Sequence, residues 1–111
     1  GAAEEGAPEV FNNLEFSLLG DRQRINRLFF RDTLIARYKL YYEDIEEAEK
    51  MINEVVSIAP NFTLARLVEA EVNLLKGDLD TSQMILLDLE GKPNITPWMT
   101  EEIQGMLEYT R

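Results

Sequence analysis

Apolar side chains return every three or four residues along most of this chain, the spacing that gives an α-helix one buried face. Val10, Phe11, Leu14 and Leu18 form such a stripe after Pro8, a favoured first helical residue, and Gly20 ends it. Asp21 offers an N-cap to a longer helix over 22–42, with Ile25, Leu28, Phe29, Asp32 and Ala36 on one side. Asp44 caps a predicted helix at 45–58, which Pro60-Asn61 breaks. A helix follows over 62–76, closed by Lys76-Gly77, and Asp78 or Asp80 opens another over 79–90. Gly91-Lys92-Pro93-Asn94 reads as a turn, and Thr96-Pro97 starts a sixth helix. Met99, Ile103, Met106 and Leu107 make the apolar face of that helix. No stretch alternates with period two. The expectation is an all-α fold of about six helices.

A shift of the chain against itself by 34 residues aligns Ala36 with Ala70, Leu40 with Leu74, and Asp44 with Asp78. Ile45 then meets Leu79, Ala48 meets Ser82, Ile52 meets Leu86 and Val55 meets Leu89. Small residues let paired helices approach closely, and large ones fill the gaps between them. Pro60 disfavours helix at Ala59 and turns the chain towards the next pair. This pattern resembles the tetratricopeptide repeat, an antiparallel helix pair stacked side by side into a superhelix. The small residues Ala36 and Ala70, the Gly77-Asp78 turn, and Ala48, Ile52, Val55 and Pro60 carry the resemblance, which covers 29–94. The family's apolar first-helix positions hold Asp32, Ile35, Arg66 and Glu69 here.

Gly1-Ala2-Ala3-Glu4-Glu5-Gly6-Ala7 reads as a flexible leader at 1–7, and the resemblance implies one helical domain at 8–111. Its repeats would span 29–62 and 63–96, with 97–109 as a C-terminal cap burying Trp98 or Met99, Ile103 and Leu107. The helix at 9–19 would cap the other end. First-helix side chains line the concave face in this family. Here they are Phe30, Thr33, Arg37, Leu40 and Tyr41, then Leu64, Leu67, Glu71, Leu74 and Leu75. That makes an apolar groove with one Arg and one Glu, to be filled by a peptide, covered by an outer helix or closed by a second copy. Thr33 and Glu71 stand where the family's clamp for peptide carboxylates needs Lys or Asn. The implied function is a non-catalytic interaction module or scaffold. Its rivals are a homo-oligomerisation domain with the groove as its seam, and a regulatory segment of a larger enzyme or secretion assembly.

Charge narrows the partner. The net charge of −10 argues against broad nucleic-acid binding. Yet Arg22, Arg24, Arg27, Arg31, Arg37 and Lys39 face only Asp32 within 22–39. Arg24, Arg27 and Arg31 share one stripe, which suits an anionic partner or, as charge runs more often do, pairing with the acidic body. The chain has no His and no Cys, so the commonest general base, thiol nucleophile and thiolate metal site are missing. Asp78, Asp80 and Ser82 echo a calcium loop, but Gln83 and Leu89 replace its Gly and Glu. Glu46-Glu47 and Glu101-Glu102 suit helix first turns. Asn61-Phe62-Thr63 and Asn94-Ile95-Thr96 match the glycosylation pattern and also suit helix starts. No catalytic, cofactor or metal site is expected. No apolar run reaches the roughly 20 residues of a membrane span, and no signal peptide stands at the start. The first residue is Gly, so the expectation is a processed chain or a piece of a longer protein.

Overall fold

The computed structural model describes residues 27–93 and 95–111, and among them every regular element is an α-helix. Helix α1 covers 27–42, α2 Ile45–Ile58, α3 Thr63–Lys76, α4 Leu79–Glu90 and α5 Pro97–Thr110. The predicted helix at 9–19, the leader, Asp21 and the first residues of the 22–42 helix lie outside the described residues, as does Asn94.

Each boundary has a local cause. The Asp44 carboxylate accepts from the Glu46 and Glu47 backbone N–H groups and starts α2. Ala59, ahead of Pro60, leaves the helical region at φ −124° and ends it. Gly77 ends α3 in the left-handed region at φ +89°, with its N–H on the Leu74 carbonyl and that of Asp78 on Asn73. Asp78 then caps α4 through Thr81, whose hydroxyl and N–H both donate to its carboxylate and hold it below the usual range. Thr96 caps α5, with Pro97 in the first turn. Two bounds shift by one residue. Helix α5 runs on to Thr110, and the α3 start falls at Thr63, since Phe62 is extended and packs its ring against the first core cluster.

Two clusters form the core. Ala36 and Leu40 of α1, Ala48, Ile52 and Val55 of α2, and Ala65, Val68 and Val72 of α3 make the first. Leu67 and Ala70 of α3, Ile85, Leu86 and Leu89 of α4, and Met99, Ile103 and Leu107 of α5 make the second. Helix α3 therefore gives one face to each cluster, and α2, α4 and α5 all pack against it. The pairs Ala36/Ala70, Ala48/Ser82 and Ile52/Leu86 are each fully buried. Ser82 satisfies its hydroxyl by donating to the Ala70 carbonyl at 2.8 Å.

Four expected groove residues are corrected here. Thr33, Leu40, Leu64 and Leu67 are buried rather than lining an open face. Leu40 joins the first cluster, with residues of α2 and α3, and Leu67 the second, with residues of α4 and α5. Within α5, Met99 rather than Trp98 fills the core, and Trp98 stays 46% exposed.

Candidate functional site

One concave cavity of about 300 Å³ lies where α1, α3 and α5 meet. It is lined by Arg37 and Tyr41 from α1, Glu71, Leu74 and Leu75 from α3, and Glu102, Gly105 and Met106 from α5. Five of the ten expected groove residues are thus brought together. Of the others, Phe30 is exposed on α1, and Thr33 is buried with its hydroxyl on the Phe29 carbonyl at 2.6 Å. Leu40, Leu64 and Leu67 are in the interior.

Polar groups organise the floor. The Arg37 guanidinium bridges two carboxylates, with Nε 3.3 Å from Glu71 Oε1 and Nη2 donating to Glu102 Oε1 at 2.6 Å. The Tyr41 hydroxyl donates to Glu71 Oε2, although its ring is 54% exposed. Glu71 itself is only 3% exposed. Burial pushes its carboxyl above the usual range, against the opposing pull of Tyr41 and Arg37. Burial and the bond to Glu71 push the Tyr41 phenol up to about 12. Burial works against the Arg37 charge, yet Glu102 and Glu71 hold its value above the usual one. Two buried oxygens, Glu71 Oε1 and Glu102 Oε2, accept no hydrogen bond.

Glu102, Gly105 and Met106 were not among the expected groove residues. A signal for them exists in the chain. An offset of 35 rather than 34 places Met99, Ile103 and Leu107 on Leu64, Val68 and Val72, and Gly105 on Ala70. At that offset the apolar spacing of α5 matches that of α3.

The remaining expected sites have structural roles or stand apart. Arg27 and Arg31 are exposed on α1 away from the cavity, and Arg24 is outside the described residues. Farther along α1, the Tyr38 and Tyr42 rings lie 5.1 Å apart. Asp78 is a cap and Ser82 a core residue, so the calcium-loop echo has no loop behind it. Among the described residues no group of three or more acidic side chains is placed to hold a metal, and no helix is long and apolar enough to cross a membrane. No family model, no curated protein and no solved structure matches the chain.

Proposed function

We propose that this chain is a non-catalytic interaction module of tetratricopeptide-like helix pairs that takes a segment of a partner protein into the cavity between α1, α3 and α5. The observation that carries this reading is the cavity itself. It is concave, formed by three successive first helices, and mixes apolar Leu74, Leu75 and Met106 with a few fixed polar groups. The shared burial of Ala36 and Ala70, Ala48 and Ser82, and Ile52 and Leu86, each pair 34 apart, supports the repeat. Catalysis has no support in the site, since its carboxylates are occupied by one guanidinium and one phenol.

The test is peptide display against the full chain, with selected peptides measured by fluorescence anisotropy. A Cβ built on Gly105 meets nothing within 4 Å, so Gly105→Leu projects into the cavity without a backbone clash. Selected peptides should bind Gly105→Leu at least tenfold more weakly, with thermal stability preserved. Failure to select any peptide, or equal binding by the variant, overturns the proposal.

Self-association is a second reading with its own observation. Phe30, Leu34, Tyr38 and Tyr42 form an exposed apolar stripe at four-residue spacing along α1, outside the cavity. Light scattering of the wild type and of Tyr38→Asp decides it: a dimer that the variant dissolves supports this reading, and a monomer removes it.

A further inference from the structure

We infer that the exposed face of α1 is a seam for a preceding helix, and that residues 9–19 of this same chain, with Phe11, Leu14 and Leu18, are its occupant. This rests on the repeat within the reading above and not on the cavity. Shifts of 34 and 35 residues align Phe30, Leu34 and Tyr38 of α1 with Leu64, Val68 and Val72 of α3, and these with Met99, Ile103 and Leu107 of α5. The six on α3 and α5 are buried, at 0–7% exposure, whereas the three on α1 stand 45–57% exposed. The cause is the helix before. Val68 and Val72 share a cluster with Ala48, Ile52 and Val55 of α2, and Met99, Ile103 and Leu107 share one with Ile85, Leu86 and Leu89 of α4. Among the described residues no helix precedes α1, so the same three positions stay open. In a stacked array each unit buries its apolar face on a neighbour.

The sequence ahead of α1 fits as that neighbour. Phe11, Leu14 and Leu18 stand 34 residues before Ile45, Ala48 and Ile52, which α2 turns to the first cluster. Leu14 departs from the small residues Ala48 and Ser82, and the departure has a reason. Those two are small where a second helix crosses its own first helix, as the bond from Ser82 to the Ala70 carbonyl marks. A large Leu14 closes off such a crossing and suits a lone helix stacked on one side. Charge agrees. Arg31 of α1 replaces the buried Ala65 of α3 and brings a cation to the edge of the seam, while residues 1–21 hold five acidic side chains and no basic one. The seam from Phe30 to Tyr38 takes up ~12 Å of helix. Seven residues lie between Leu19 and Arg27 and span ~23 Å when extended, so they can deliver the segment along all of it. That connection starts α1 later than the residue 22 expected from Asp21. The self-association reading takes the same stripe, so each occupant excludes the other.

The chain has no Cys, so Asn12→Cys gives a single attachment point for a nitroxide, off the apolar stripe of the segment. The full 15N-labelled chain carrying it should lose at least half of its amide intensity at residues 30–38, relative to the same sample with the nitroxide reduced, and far less at residues 79–90. Adding Leu14→Asp should restore the intensity at 30–38 while the shifts of α2 to α5 stay unchanged. Full intensity at 30–38 in the first sample overturns the proposal, as does broadening that Leu14→Asp leaves in place. A mixture of nitroxide-bearing unlabelled chain with nitroxide-free 15N chain should show no broadening at 30–38. Broadening there would seat a second copy on the seam and overturn the occupant proposed. Failure of the interaction-module reading shows separately, as a display that selects no peptide.

Discussion

Burial and charge pull Glu71 in opposite directions, and burial wins. Its folded carboxyl lies above the ordinary value of 4.5, so the folded chain holds that proton more tightly than the unfolded chain does. The resulting stability is full below the ordinary value and is lost as pH rises through the folded one. Glu71→Gln should therefore compare best with the wild type near pH 7 and worst in acid, as read by urea unfolding at both. Tyr41 has the same sign at the other end of the pH range. Its contribution is present below 10 and is lost between 10 and about 12. The tyrosinate absorbance of the wild type minus that of Tyr41→Phe should give one step near the upper value; a step at 10 would place the hydroxyl in water. Close packing at Ala48 is a third residue-level constraint. Ala48→Leu overfills a site with no exposure and should cost ~1–3 kcal/mol in thermal or urea unfolding. Glu47→Leu, one residue away, loses only an exposed pair with Lys39 and should change little.

Helix ends were the most legible elements because they depend on few residues. Asp44, Gly77-Asp78 and Thr96-Pro97 each settle a boundary with their own backbone or side chain. Asp44→Ala removes the acceptor of two N–H groups and should lower stability by about 1 kcal/mol. Faces were less legible, since exposure depends on which neighbour arrives. Leu40 and Leu67 have the spacing of a groove lining, and packing with α2 in one case and with α4 and α5 in the other makes both interior. Helix α5 supplies Glu102, Gly105 and Met106, and its apolar spacing matches that of α3 at an offset of 35 rather than 34. Gly105 is also a weak point in α5. A Cβ there is unobstructed, so Gly105→Ala should raise stability by about 0.5–1 kcal/mol through the backbone alone. A lower melting temperature would mean that the position is more crowded than its surroundings indicate.

Across the described chain, two core clusters are joined through one helix rather than through a linker. Helix α3 gives Ala65, Val68 and Val72 to one and Leu67 and Ala70 to the other. The exposed ion pairs between helices, Lys39–Glu47 and Lys76–Glu49, add little to that union. Opening either cluster alone strips only one side of α3, whose backbone stays shielded by the other. Solvent deuterium therefore reaches α1 and α2, or α4 and α5, by partial openings that spare the middle of the molecule. The amides from Leu67 to Val72 wait for the whole chain to come apart, and their exchange should be the slowest and track global denaturation with added urea. The cavity floor shares in this. Glu71 sits on that slow segment while Arg37 and Glu102 ride on faster neighbours, so the site has one fixed wall and two that loosen first.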